Sequence, residues 1–436
     1  MNSNAPEYSL ESLCLLVVDC PHATPRWTDS GVIVLRNQNI KGGRLDLSSP
    51  SFTDEAHYVG RIRRAAPQAG DIVITREAPM GEVCQIPPGL KCCLGQRQVL
   101  LRPDPAKVDG RFLLYALQSS YLQHQIGWNE GTGSTVSNLR IPVLEALRVP
   151  TPALDVQREV AKILGAIDDR ITLLRESNAT LEAITQALFK SWFVDFDPVR
   201  AKQEGRAPEC MDDATAALFP DAFEESELGL VPRGWRAQPV GDVVESVGGG
   251  TPDTKDPTFW EPAQYCWTTP KDLSGIQAPV LLSTERKLSA KGLAKVSSGL
   301  LPAGTLLMSS RAPIGYLAIA QTPMAINQGY IAMLPSSKLP PLYMLFWCRQ
   351  NMELIKGRAN GSTFMEISKK AFRPIPALVS PPSVIDAFVD LVSPLFDRLV
   401  ENERQAQSLA TLRDTLLPRL ISGQLRLTEA EEALAA

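Results

Sequence analysis

Two stretches of the chain carry apolar residues at alternating steps of four and three. The first runs Val160, Leu164, Ile167, Ile171, Leu174, Asn178, Leu181, Thr185, Leu188, Trp192. The second runs Ile385, Phe388, Val392, Leu395, Leu399, Asn402, Ala406, Leu409, Arg413, Leu416, Leu420. That mean spacing is a heptad seam, and it predicts two long helices. Gly165 is the one helix breaker between Leu154 and Trp192, and Pro394 predicts a kink or irregular turn inside the second run. A helix of about 36 residues spans about 54 Å, too long to be covered by a domain of about 150 residues. The two seams are therefore expected to bury each other as a coiled coil. The alternative is that each helix packs on its own globular block. Asn178 and Asn402 lie in the seam, where an amide helps to fix register at some cost in stability.

The blocks before these helices read differently. Short β-rich runs at 31–35, 71–75 and 304–308 are bounded by Gly, Pro, Asn and Ser and predict strands. Helical runs at 111–125 and 341–356 interrupt them. The pattern is mixed α/β without clean strand–helix alternation, so a doubly wound sheet is not expected.

The chain also repeats itself. Gly70, Ala78, Pro79 and Gly81 recur with the same spacing as Gly304, Ala312, Pro313 and Gly315. Leu94-Gly95-Gln96 is answered by Ile326-Asn327-Gln328, and Gly133-Ser134-Thr135 by Gly361-Ser362-Thr363. A proline-rich stretch and a heptad helix then follow in both halves. An ordered set of this kind indicates duplication. The expected organisation is a first domain over 1–152, a long helix over 153–194 and an acidic linker over 195–230. A second domain over 231–382, a long helix over 383–424 and a tail over 425–436 complete it.

Length and composition agree: 436 residues suit two or three domains, and 44% hydrophobic with 21% charged residues suits a globular chain. No apolar run is long enough to predict a membrane span, and the first twenty residues lack the basic start of a signal peptide. Eight cysteines without a CxxC, and only three histidines, predict no zinc site and a reduced, cytoplasmic setting. The net charge of −4 conceals its distribution. Residues 195–230 hold ten acidic and three basic residues, whereas 231–380 hold sixteen basic and nine acidic. That basic block suits an anionic partner such as nucleic acid, although surface scatter would also produce it. The first 150 residues are near neutral, with fifteen basic and fourteen acidic.

Catalytic patterns are absent from the sequence. There is no GxxxxGK[ST] loop, GxSxG elbow or HExxH helix. Gly248-Gly249-Gly250 lacks the GxGxxG spacing and reads as a flexible turn. Asp195-Phe196-Asp197-Pro198 only superficially matches the tetrapeptide with which amino-methyltransferases grip a flipped base. It lies where Asp-Pro should end a helix. His22, His57 and His124 are isolated and read as surface or packing residues.

Three segments carry a family resemblance. They are Leu188-Phe189-Lys190-Ser191-Trp192-Phe193-Val194-Asp195-Phe196-Asp197-Pro198, Leu230-Val231-Pro232-Arg233-Gly234-Trp235-Arg236 and Leu416-Leu417-Pro418-Arg419-Leu420-Ile421-Ser422-Gly423. Together with the repeat, over residues 10–425, the chain resembles the specificity subunit of type I restriction–modification systems. The resemblance implies two homologous α/β target-recognition domains joined by two long antiparallel coiled-coil helices, related by a pseudo-two-fold. It implies a non-catalytic chain that reads a bipartite site on double-stranded DNA, one half per domain. The helices would set the gap and dock two modification subunits that methylate adenine N6, with two restriction subunits able to complete an ATP-dependent nuclease. This chain would hold no cofactor; S-adenosylmethionine, ATP and magnesium belong to the partners. Two other classes stay open. A coiled-coil adaptor without a DNA role leaves the basic block unexplained, and a self-sufficient nuclease or methyltransferase needs a motif that is missing.

Candidate DNA contacts follow from side-chain chemistry in loops, since Arg and Lys suit guanine edges and Asn and Gln suit adenine. In the first domain they are Arg36, Asn37, Gln38 and Asn39, then Arg76, Gln96, Arg97, Ser134 and Thr135. In the second they are Thr269 and Lys271, with Lys271 in the place of Asn39, then Arg311, Asn327, Gln328, Ser362 and Thr363. Residues repeated in both halves, such as Arg76/Arg311 and Gln96/Gln328, equally suit a shared structural role. Half-site readers should differ between domains. Candidate helix and subunit interface residues are Ile167, Ile171, Leu174, Asn178, Leu181, Leu188, Leu395, Leu399, Asn402, Leu409 and Leu416.

Overall fold

Val32-Ile33-Val34-Leu35 is apolar and mostly β-branched, and it forms a strand directly after Gly31. Gly31 sits at φ 131, and a Cβ there would meet the Thr53 carbonyl oxygen at 2.5 Å, so only glycine lets the neighbouring strand approach. The computed structural model describes residues 5–128, 138–361 and 365–425. Contacts divide the chain into two units, Met1–Ile171 with Ser408–Ala436, and Thr172–Gln407.

Besides two short two-stranded ladders, the first unit holds two larger sheets. A four-stranded antiparallel sheet has the order β1-β7-β4-β5, from Cys14–Asp19 (β1), Ile72–Thr75 (β4), Val83–Gln85 (β5) and Gln98–Pro103 (β7). A three-stranded sheet has the order β3-β2-β6, from Val32–Leu35 (β2), Ser51–Thr53 (β3) and Cys92–Leu94 (β6). In it β2 pairs antiparallel with β3 and parallel with β6. The second unit repeats the small sheet in the order β11-β9-β14. Tyr265–Thr268 (β9) pairs antiparallel with Arg286–Leu288 (β11) and parallel with Ala325–Ile326 (β14). Its larger sheet has five strands, β8-β15-β12-β13-β10. These are Ser246–Val247 (β8), Val280–Leu281 (β10), Leu306–Ser309 (β12), Leu317–Ala320 (β13) and Tyr330–Met333 (β15).

The duplication reaches single hydrogen bonds. The Thr75 hydroxyl donates to the Pro79 carbonyl at 2.7 Å and accepts from the Glu82 N–H at 3.0 Å. Ser309 makes the same two bonds to Pro313 and Tyr316, at 2.7 and 2.8 Å. Ala78-Pro79 and Ala312-Pro313 are both cis. The mixed α/β expectation is met, with Gly110–Gln118 (α1) and Pro341–Gln350 (α3) as the interrupting helices.

The two heptad runs are single helices, Leu154–Phe193 (α2) and Pro382–Ile421 (α4). Ile167, Ile171, Leu174, Asn178, Leu399, Asn402 and Leu416 are buried, and Leu181, Leu188, Leu395 and Leu409 are half-buried. In the first unit Asp168 meets Arg413, and in the second Asn178 meets Asn402, so the helices run antiparallel and pack on one another. α4 continues through Pro394 without a break. Both Pro394 and Asp390, whose carbonyl loses its partner, are exposed, so water can satisfy what the proline removes. α2 stops at Phe193, and Phe196 at φ 57 turns the chain into a short helix from Asp197, as Asp-Pro chemistry predicts.

The acidic stretch 195–230 is not a linker in form. Val199 and Phe219 are buried in the second unit's core, and Phe219 packs edge-on to Trp192 at 5.1 Å. Its charge lies outside and its apolar residues inside. Phe189, Trp192 and Phe193 from α2 converge there on Phe388 of α4 at 5.2–5.9 Å. Edge-to-face pairs of this kind add about 0.5–1.5 kcal/mol each beyond area burial. The Gly248-Gly249-Gly250 run is likewise no flexible turn. A Cβ on Gly249 would lie 1.8 Å from the Ile326 carbonyl oxygen, and the Gly250 N–H donates to that oxygen at 3.0 Å.

Candidate nucleic-acid interface

The strands β2 and β6 are parallel, so the loops that follow them open at the same edge of the small sheet. The loop after β4 joins them there. A cleft of about 390 Å³ results, lined by Trp27, Arg36, Asn37, Gln38, Ala78, Gln96 and Arg97 among others. Candidates from two separate parts of the sequence, Arg36, Asn37 and Gln38 with Gln96 and Arg97, thus meet at one site.

Within that site their tasks divide. Asn39 is buried: its Oδ1 accepts from the Arg36 N–H at 2.9 Å, and its Nδ2 donates to the Asp46 carbonyl at 2.9 Å. Asn37 donates to the Glu77 carbonyl and accepts from Gln98 at 3.3 Å. Both amides brace the turn: Asn39 does so from a buried position, which leaves it no face for a base, whereas Asn37 still lines the cleft. Gln38 is exposed and makes no side-chain hydrogen bond among the described residues. Arg36 is exposed over the ring of Trp27, at 5.4 Å from its centroid. Arg97 is exposed but paired to Glu77 at 3.1 Å, and Gln96 donates to the His22 carbonyl.

Arg76 is a support, not a contact. Its side chain is 11% exposed and bonds to both Asp19 oxygens at 2.9–3.0 Å, to the Leu139 carbonyl at 2.9 Å and to Asn138 at 3.2 Å. Such a spent guanidinium has no edge left for a base.

The second unit builds the same turn after β9. Asp272 Oδ2 accepts from the Thr269 N–H at 2.7 Å, and the Asp272 N–H donates to the Thr269 carbonyl at 2.9 Å. Asn39 makes the corresponding bonds to Arg36, its N–H reaching the carbonyl at 2.9 Å. Asp272 therefore occupies the place of Asn39, and Lys271 that of Gln38, one residue away from the alignment that sequence suggested. Thr269 is a helix cap. Lys271 is exposed and pairs with Glu285 at 3.1 Å. Arg311 matches Glu77, not Arg76: Glu77 accepts from Asn138 at 2.7 Å, and Arg311 faces Glu366 at 3.6 Å. Residue 76 is matched by Ser310, and the N–H groups of Leu139 and Ile367 bond to their carbonyls at 2.9 and 3.0 Å. Asn327 accepts from the Gly329 N–H at 2.8 Å and shapes its own turn, whereas Gln328 is exposed and bonds Thr251. Ser134, Thr135, Ser362 and Thr363 lie outside the described residues.

One arrangement escaped the sequence reading. Arg286, on β11, lies 3.4 Å from the centroid of the Trp260 ring and 5.4 Å from that of Trp267. No spacing rule joins these residues, because β-pairing of Arg286 with Trp267 brings them together.

Burial pushes the Cys84 and Cys92 thiols up to about 12, so they are protonated core groups. Among the described residues, no group of three or more His, Cys, Asp or Glu could hold a metal ion, and no helix is long and apolar enough to cross a membrane.

Comparison with known proteins places the chain. The family described as "Type I restriction modification DNA specificity domain" matches twice, at residues 30–183 and 232–383. The type I restriction enzyme MjaIX specificity subunit of Methanocaldococcus jannaschii is 32% identical over 189 residues, 43% of each chain. The chain thus spans less than half the length of that relative. The HindI specificity subunit of Haemophilus influenzae is 26% identical over 343 residues, 68% of this chain and 73% of that one. The crystal structure of the type I restriction–modification S subunit from M. genitalium aligns over 96% of both chains, at a TM-score of 0.51 and 18% identity. That likeness is one of fold.

Proposed function

Because the chain belongs to the type I restriction modification DNA specificity family and carries its domain twice, we propose that each unit reads one half of a bipartite DNA sequence. The observation that carries this reading is the duplicated turn. The same main-chain frame presents Gln38 in one unit and Lys271 in the other, both exposed. A shared frame with different exposed residues is what two readers of different half-sites require. Gln suits the adenine edge and Lys the guanine edge or a phosphate. The basic balance of 231–380 supplies the sequence-independent attraction to the backbone.

In this reading the chain performs no chemistry. It directs partner subunits: two modification methyltransferases that bind S-adenosylmethionine and act on adenine N6, and two restriction subunits driven by ATP and magnesium. The paired long helices act as a spacer. A stiff connection between two readers favours sites whose halves have the matching gap and penalises the rest.

The test is to co-express the chain with its modification subunit and map methylated adenines across the genome. A single bipartite motif with a fixed gap is the expected result. A stable complex that adds no methylation would favour an adaptor without a DNA role.

A further inference from the structure

The arginines at the recognition edge fall into two sets. Arg76, Arg97 and Arg311 face carboxylates: Asp19, Glu77 and Glu366. Arg36 and Arg286 have no side-chain hydrogen bond or ion pair among the described residues, although both are exposed. Each is instead placed against an indole, Arg36 on Trp27 and Arg286 on Trp260 with Trp267 beside it.

Arg36 belongs to the duplicated turn, and Arg286 lies on the strand tied to its counterpart. Arg36 is the first residue of its turn, bonded through its N–H to Asn39. Arg286 follows Glu285, whose N–H donates to Asp272 Oδ1 at 3.1 Å, so the turn and β11 are tied together. The two arginines do not correspond in the repeat. Arg286 pairs across its sheet with Trp267, whereas Arg36 continues its own strand. Different positions in the two units have produced the same device.

We propose that Arg36 and Arg286 are guanine readers, one for each half of the target. This deepens the functional reading above and rests on it. An indole face holds the guanidinium plane through cation–π attraction while leaving the N–H edge unspent. That edge matches guanine O6 and N7 in a two-bond contact, the commonest specific contact in the major groove. Because the ring already restricts the side chain, less freedom is lost when the base is bound. At 3.4 Å the Arg286 stack is the tighter, so its position in the motif should discriminate more sharply than that of Arg36 at 5.4 Å. Lysine can reach a guanine edge but lacks the planar fork that stacks on an indole and binds two acceptors at once, so it should replace either residue poorly.

The experiment uses the complex with its modification subunit. Genome-wide methylation is mapped for the wild type, Arg36→Gln, Arg36→Lys, Arg286→Gln and Arg286→Lys, and binding is measured on duplexes carrying each single-base change. The wild-type motif should contain a guanine in each half. Each Arg286 variant should lose discrimination at one guanine in one half, by roughly 10- to 100-fold, with the other half unchanged. The Arg36 variants should do the same in the opposite half. Trp260→Leu, which keeps Arg286 and removes its shelf, should weaken discrimination at the same base. If a variant binds all duplexes more weakly by the same factor, and the salt slope falls by about one, the arginine holds a phosphate and the proposal is overturned. A bipartite wild-type motif that the variants leave unchanged overturns it too, while the two-reader function stands. A wild-type complex without any bipartite motif removes the functional reading itself.

Discussion

Asn402 Nδ2 donates to Asn178 Oδ1 at 2.9 Å inside the paired helices, and Asn178 Nδ2 donates to the Leu399 carbonyl at 3.2 Å. Both residues are at most 3% exposed, and Asn402 Oδ1 has no partner among the described residues. The pair therefore constrains register without being an optimal stabiliser. Asn178→Leu should cost about 1–3 kcal/mol, because it strands the Asn402 amide in an apolar seam. Replacing both by leucine should recover most of that loss. Urea unfolding of the two variants checks it; a double variant as unstable as the single would show that the amides support more than each other.

Asp168 ties the first unit together. Its carboxylate accepts from the Tyr115 hydroxyl at 2.7 Å and from Arg413 and Arg44 at 2.8 and 3.1 Å. Burial acts to raise its pKa, but the Tyr115 hydroxyl and the two guanidiniums outweigh it and hold the carboxyl below its ordinary 3.8. A depressed folded-state pKa stabilises above the unfolded value, and the benefit fades as pH falls through the folded one. Asp168→Asn should therefore be less stable by about 1–3 kcal/mol at pH 7, with two cations left in partial burial. The gap to wild type should narrow below pH 3.8. Thermal unfolding from pH 7 to pH 3 reads both.

Gly249 has no room for a side chain. Its virtual Cβ falls 1.8 Å from a main-chain oxygen of β14, which cannot move as a flexible side chain could. Gly249→Ala should destabilise the second unit by about 2–4 kcal/mol, among the larger costs of a single substitution. Gly250, with the nearest atom at 3.7 Å, should accept alanine far more cheaply. Equal melting temperatures for the two variants would contradict the close crossing.

Support and contact separate by readout. Arg76→Gln should lower stability by about 2–3 kcal/mol, as several half-buried bonds are lost together. Gln38→Ala and Lys271→Gln alter exposed side chains and should change stability by about 0.5 kcal/mol or less. In the assembled complex the order should reverse, with Gln38→Ala and Lys271→Gln weakening DNA binding most. Melting curves and duplex titrations on the same preparations settle the contrast.

The long helices were legible because a heptad seam is a local, periodic signal that survives without knowledge of the fold. The duplication was legible for a related reason: Gly, Pro and hydroxyl residues recur where the backbone needs them, as at Thr75–Pro79 and Ser309–Pro313. Arg76 and Asn39 misled because sequence shows that a residue can bond a base but not that its bonds are already spent. Asp19 is 57 residues from Arg76 along the chain yet bonds it in space, and the Asp46 carbonyl takes the Asn39 amide only because the turn folds back on itself. The acidic stretch misled because its charge count conceals Val199 and Phe219, which only a three-dimensional core can claim.

Sequence by itself determined the two mixed α/β blocks, the two antiparallel-capable seams and the family, since each rests on pattern along the chain. Tertiary structure decided which residue of the duplicated turn points outward. The one-residue shift that matches Lys271 to Gln38, and not to Asn39, depends on which side chain closes the turn onto its own backbone. It also decided that Arg286 lies on Trp260 and Trp267. Strand pairing across β9 and β11 creates that neighbourhood, and no spacing along the chain encodes it.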